Sequence, residues 1–276
     1  MHTRIPLFAY YRWLILFLAA GLCLLPIWAA VIGGFKSSGD LRTNALGLPR
    51  EWILDNYGSI LFAPRFWQML GNSAFIAFFT VLLTVLVSSM AAFTLAHLRF
   101  AGKRWIASYL TLGLTFPFAT AVLPVFIRVR DLGLLDTHWG VIFPQVAFNL
   151  SFSIVLLRGF FQELPKELFE AALMDGCSYL KIFWRITLPL SRPILATVGV
   201  LSLVGSWNNF LLPLVTINSD ALYSWPLGIM QFQGQYSTDW GRVLAFVTLT
   251  MIPAIAFYLA AQKHIIAGLT AGAVKG

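Results

Sequence analysis

Six windows of this chain contain no aspartate, glutamate, lysine or arginine: 13–35, 66–98, 105–127, 137–157, 193–219 and 243–262. A helix needs about 20 apolar residues to cross a hydrocarbon core of roughly 30 Å. Each window is long enough, and together they predict an all-α membrane protein with six spans over about 13–35, 68–98, 105–127, 137–157, 193–217 and 243–262. Composition excludes the main alternatives. Only 11% of the residues are charged and 59% are hydrophobic, whereas a soluble domain is about 25% charged. A soluble enzyme and a disordered chain are both ruled out. A further uncharged stretch, 221–238, carries Gln231, Gln233, Gln235, Gly234 and Pro226 and reads as a loop.

Six spans put both termini on one side. If that side is cytoplasmic, 12 of the 19 lysines and arginines lie inside and 7 outside. The excess of basic residues inside agrees with the positive-inside rule, so both termini are expected in the cytoplasm. The net charge of +8 then reflects topology and contact with anionic membrane lipid rather than nucleic-acid binding. The first window follows a basic start, but its apolar run exceeds the roughly 7–15 residues of a signal peptide, and a retained helix is expected. With two cysteines, Cys23 and Cys177, and four scattered histidines, neither a disulfide framework nor a metal site is expected.

No catalytic constellation is visible. The windows hold no acid that could relay protons, as ion-coupled transporters usually require. Gly71-Asn72-Ser73-Ala74-Phe75 lacks the last glycine of a nucleophile elbow. The Gly102-Lys103 pair has His97 where a phosphate-binding loop needs its first glycine. The chain reads as a pathway that borrows its energy from another subunit; a channel or secondary transporter working alone is the alternative. Its intramembrane amides, Asn72, Gln145, Asn149, Asn208 and Asn209, are candidates to line that path. Hydrogen bonds between helices would satisfy them equally well. Small residues recur at Ser88, Ala92 and Ala96, and at Ser202 and Ser206. Such stripes serve packing within one chain or contact with a second membrane subunit.

The informative stretch runs from Glu163 to Pro189, between the fourth and fifth windows. Pro165 suits a first helical position, Glu167 its first turn, and Gly176 a left-handed stop. A short cytoplasmic helix over about 165–176 is predicted. Leu168, Phe169, Leu173 and Met174 make it too apolar for a loop facing water, which suggests docking into a groove. Ala171 and Ala172 offer a place of close backbone approach.

Glu170-Ala171-Ala172-x-x-x-Gly176, followed by Ile186-x-Leu188-Pro189, resembles the EAA motif of ABC importer membrane subunits. The resemblance is strongest to carbohydrate-uptake permeases, similar to the inner-membrane subunit of maltose-type importers. Trp207-Asn208-x-Phe210-Leu-x-Pro213 and the tail Gly268-Leu-Thr-x-Gly272-Ala-Val-Lys-Gly276 also match it. Cys177 stands where the family often has alanine.

The resemblance implies a type I importer permease fold forming a single transmembrane domain over 1–276, in the prokaryotic cell (inner) membrane. It implies one half of a carbohydrate pathway, completed by a second permease subunit. Two ATPase subunits would bind ATP and Mg, leaving no cofactor in this chain. The ATPase contact would fall on Leu168, Phe169, Glu170, Ala171, Ala172, Leu173, Asp175 and Gly176. A periplasmic or extracellular solute-binding protein would meet Tyr223, Trp225, Phe232 and Tyr236, although these also fit an interfacial aromatic belt. The tail would dock at the ATPase interface.

Overall fold

The computed structural model describes residues 7–234 and 237–273, most of them helical. In chain order the helices are α1 (Leu7–Gly33), α2 (Ser38–Thr43), α3 (Asp55–Leu61), α4 (Pro64–His97), α5 (Lys103–Leu112), α6 (Phe118–Asp131) and α7 (Trp139–Glu163). There follow α8 (Lys166–Met174), α9 (Tyr179–Ile182), α10 (Leu188–Leu190), α11 (Arg192–Trp207), α12 (Leu211–Thr216), α13 (Trp225–Gly228) and α14 (Trp240–Ala273). Among the described residues the only β pairing is an isolated antiparallel bridge, Gln233 to Thr238.

Among the described residues, four helices are individually long and apolar enough to cross a membrane: Tyr11–Gly33, Pro64–His97, Trp139–Glu163 and Trp240–Leu259. The third window departs from the expected straight span by a bend inside it, and the fifth by a bend just ahead of it and a break after Trp207. Lys103–Thr115 and Phe118–Asp131 meet at 109°, and Tyr179–Leu190 and Arg192–Trp207 at 80°. Proline causes both bends. Pro117 has no N–H to donate, and it drives Phe116 into an extended conformation, φ −83°, ψ 117°. Pro193 likewise cannot bond back to Pro189, and the turn falls at Ser191, φ −98°, ψ 11°. Pro213 would clash with the carbonyl of Asn209 in a continuous helix, so α11 ends at Trp207 and α12 begins at Leu211. The Asn209 side chain accepts the Leu212 N–H at 3.1 Å and caps the new helix.

The chain forms two compact units, Met1–Trp67 with Gly228–Pro253, and Gln68–Leu227 with Ala254–Gly276. In the first, Lys36 is fully buried and its ammonium donates to the carbonyls of Asn44 and Ala45. Asn56 Nδ2 donates to the carbonyls of Gly34 and Lys36 at 3.0 and 3.1 Å. Gly241 permits this arrangement, because a Cβ there would lie 2.4 Å from the Lys36 carbonyl oxygen. Most of α1 is exposed.

The second unit has two cores. One joins Ala92, Phe93 and Leu95 of α4, Ile154, Leu157 and Phe161 of α7, Phe169 and Ala172 of α8, and Ile194 and Val198 of α11. The other joins Ile76 of α4, Val141, Ile142 and Val146 of α7, and Leu212 and Ile217. Ser88 and Ala92 are fully buried, and Ser202 and Ser206 nearly so. Ser88, Ala92 and Ser202 therefore serve packing within the chain, where small side chains let helices approach closely.

Candidate functional site

The expected short helix is present as α8, Lys166–Met174, with Glu167 in its first turn. Pro165 sits one residue earlier than expected, at the cap position with ψ 125°, where its missing N–H leaves no helical bond broken. Gly176 has φ +74°. Cys177 N–H donates to the Ala172 carbonyl at 2.9 Å and Gly176 N–H to that of Leu173 at 3.0 Å. These two bonds define a Schellman stop.

The helix has two faces, and the candidate docking residues divide between them. Phe169 and Ala172, three apart, turn into the core. The Phe169 ring stacks on His97, centroids 4.0 Å apart at 27°. These two do not face a partner as expected. Leu168, Glu170, Ala171, Leu173, Met174, Asp175 and Gly176 are exposed. The outward surface combines apolar side chains with acids, a surface suited to a groove with basic groups. His97 was not legible as a support for this helix, because it lies more than seventy residues upstream.

Of the five amides, three come together. Gln145, Asn149 and Asn209 line a cavity of about 240 Å³ with Ser206 and the rings of Phe118 and Phe148. The two rings meet edge-on, centroids 4.8 Å apart. Gln145 accepts a hydrogen bond from the Thr80 hydroxyl at 3.2 Å. Among the described residues, Gln145 Nε2 and Ser206 Oγ are buried with no protein partner. An unmatched buried polar atom costs about 1–3 kcal/mol, which a polar ligand or water would recover. The volume lies just below the roughly 300–1,000 Å³ that encloses a whole small molecule, so the cavity suits a subsite.

The other two amides are used elsewhere. Asn72 Nδ2 donates to the carbonyls of Ala221 and Tyr223 at 2.9 and 3.0 Å and latches the loop after α12. Asn208 donates to the Val204 carbonyl of its own helix at 3.0 Å. The 223–240 segment also departs from expectation. The Trp225 indole donates to the Trp207 carbonyl at 2.7 Å. Phe232 packs on Phe246 at 5.5 Å, and Tyr223 lies partly buried against the Ile76 core. Large rings bury more apolar surface inside than a polar partner loop would return. Gln231 and Gln233 are exposed. Tyr236 and tail residues 274–276 lie outside the described residues.

A junction missed in the sequence lies ahead of α7. Asp136, at φ +56°, accepts the N–H groups of Asn218 and Ser219 at 3.0 and 2.8 Å, and the Ser219 hydroxyl donates to it. These bonds, the hydroxyl first, hold its carboxyl below the usual range. Burial lowers the neighbouring His138.

Residues 84–270, which include α8 and the cavity, match the family described as binding-protein-dependent transport system inner membrane component. The chain belongs to this family. It is 34% identical to the probable ABC transporter permease protein YurM of Bacillus subtilis (strain 168), over 96% of this chain and 88% of that protein. It is 35% identical to the trehalose transport system permease protein SugB of Mycobacterium tuberculosis (strain CDC 1551 / Oshkosh), over 94% and 95%. A crystal structure of a bacterial ABC transporter involved in the import of the acidic polysaccharide alginate shares the fold. Its TM-score is 0.81 at 24% identity, over 95% of this chain and 98% of that one. The inner-membrane transport component is thus a multi-pass helical membrane protein with an ABC importer permease fold, built for transport rather than catalysis.

Proposed function

We propose that this chain is one of two permease halves of a carbohydrate importer driven by ATP hydrolysis in partner subunits. Each bent helix pair counts as one span, giving six in one transmembrane domain, with both termini cytoplasmic. The observation that carries the reading is the two-faced α8: Phe169 and Ala172 anchor it to the core, while Glu170, Leu173 and Asp175 remain exposed. A helix fixed on one side and open on the other can transmit force as a lever. One of two ATPase subunits would grip each such helix, with ATP and Mg bound in those subunits. ATP-driven closure would then rock the permease halves around a central path.

Relatives named for trehalose, diacetylchitobiose and arabinooligosaccharide transport support a sugar cargo. So does the cavity, where carboxamides and a hydroxyl match sugar hydroxyls and two phenyl rings offer apolar faces. A solute-binding protein would meet the exposed Gln231 and Gln233, with the half-buried rings of Tyr223, Trp225 and Phe232 as their footing. The deciding experiment reconstitutes the chain with its co-purifying subunits and a sugar-loaded binding protein in vesicles. Uptake is expected to require ATP and to persist when ion gradients are collapsed. Gradient-driven uptake by this chain alone would overturn the reading.

A further inference from the structure

A second, larger cleft of about 960 Å³ opens along α5 and is unconnected with the amide cavity in its lining. Three cationic residues line it, Lys103, Arg104 and Arg158, and no acid does. Lys103 is tied down, its ammonium donating to the carbonyls of Leu98 and Ala96 at 2.9 and 3.4 Å. Arg158 is not: its Nε is buried and has no hydrogen-bond partner among the described residues. Burying a guanidinium nitrogen without an acceptor is costly unless an anion supplies one. Gly102 begins α5 without a side-chain cap, so the first N–H groups of that helix add to the positive field in the same cleft.

The rest of the lining carries three hydroxyls, Ser108, Thr111 and Thr115, set among apolar walls; the Thr111 and Thr115 hydroxyls are already engaged with the carbonyls of Ala107 and Leu112. Phe100, Trp105 and Leu112 form its walls, and the two aromatics of α5, Trp105 and Tyr109, are 82% and 76% exposed. Tryptophan and tyrosine with this exposure belong at the headgroup level of a membrane protein. A soluble phosphate would use the cations and leave the walls bare. A phospholipid uses both.

We infer that this cleft binds the headgroup of an anionic phospholipid, with Arg104 and Arg158 on the phosphate and the acyl chains against Trp105 and Leu112. The inference needs only that the chain spans a membrane, and it stands or falls apart from the proposed cargo and energy source. Arginine suits the task because its planar fork meets two phosphate oxygens at once.

The test is native mass spectrometry of the chain purified with its co-purifying subunits. Phosphatidylglycerol and phosphatidylcholine are added in equal amounts. Phosphatidylglycerol should be retained at least tenfold more strongly. Arg104→Gln, at an exposed position, should cut that retention at least fivefold while leaving phosphatidylcholine and the subunits unchanged. Arg158→Lys, which keeps the charge, should retain the lipid better than Arg158→Gln. Glycerol phosphate at the same concentration should fail to displace it. Wild-type retention in Arg104→Gln would overturn the inference. Displacement by glycerol phosphate would assign the cleft to a soluble phosphate instead, and loss of a subunit from Arg104→Gln would make it a protein interface.

Discussion

Gly176 ends α8 at φ +74°, and a Cβ built there meets nothing within 4 Å. The demand on this position is therefore conformational, not one of space. A β-branched residue in the left-handed region costs on the order of 1–2 kcal/mol, enough to shift the helix end that presents Asp175. Gly176→Val should abolish binding-protein stimulation of the partner ATPase while membrane insertion survives. Gly176→Asn should retain most of it, since asparagine visits that region readily. Equal activity of the two variants would show that the helix stop is not what the coupling needs.

The same scale sets the response of the α7 junction to acid. Asp136 accepts three hydrogen bonds as a carboxylate, and its lowered pKa means that the unfolded chain holds the proton more tightly. His138, also lowered, favours its neutral form when folded. Both contribute stability that is complete above the unfolded pKa and lost as pH falls through the folded one. The histidine contribution weakens first, below its ordinary 6.5, and the aspartate contribution below 3.8. Thermal unfolding midpoints should fall on acidification from pH 7 to 2, and Asp136→Asn should flatten the part of that fall below about pH 4. An unchanged profile in the variant would dismiss the carboxylate as its source.

At the scale of the element, α8 shows what the sequence discloses and what it withholds. Its existence was legible, because the proline, the first-turn acid and the glycine stop are local signals. Its inner face was not separated from its outer one. On a helix Phe169 and Met174 point to nearly opposite sides, yet both read as apolar residues of one docking surface. The partner that claims Phe169 is His97, and no local pattern pairs residues so far apart. The amides fared similarly: Gln145, Asn149 and Asn209 converge, whereas Asn72 is taken by loop carbonyls whose position depends on the tertiary fold. The bends at Pro117 and Pro193 were written in the prolines, but hydrophobic length alone concealed them.

A prediction follows from the anchoring of α8. Phe169→Ala removes the ring that stacks on His97 and leaves a void in the core cluster that also holds Phe93 and Phe183. Large-to-small changes of this kind cost about 3–5 kcal/mol in a closed core. Phe169 is 9% exposed, so the lower end applies. Hydrogen exchange across Lys166–Met174 should rise at least tenfold while the spans stay protected, and stimulated ATP hydrolysis should fall with it. Unchanged exchange in α8 would show that Ala172 and the chain ends hold the helix without the ring.

At the scale of the whole molecule, orientation is carried by charge alone. A lysine or arginine near a span is expensive to translocate, and the proposed topology keeps 12 of the 19 basic residues inside. The bends do not alter this count if each bent pair is one span, since the number of crossings is then six and the parity even. Were the first pair a re-entrant loop, the side of every later segment would reverse and Lys181 and Gln231 would exchange places; were it the second, Lys181 would keep its side and Gln231 would change. Single cysteines distinguish these cases in a chain whose Cys23 and Cys177 are replaced by alanine. The sites must be exposed, as Glu51, Lys166, Lys181 and Gln231 are; Asp40, whose side chain is only 9% exposed beside Arg50, would label poorly whichever side it faced. An impermeant thiol reagent added outside intact cells should label Glu51→Cys and Gln231→Cys, and should reach Lys166→Cys and Lys181→Cys only after the membrane is opened. Labelling of Lys166→Cys from outside would remove α8 from the compartment where ATP is hydrolysed and with it the mechanical role proposed for that helix.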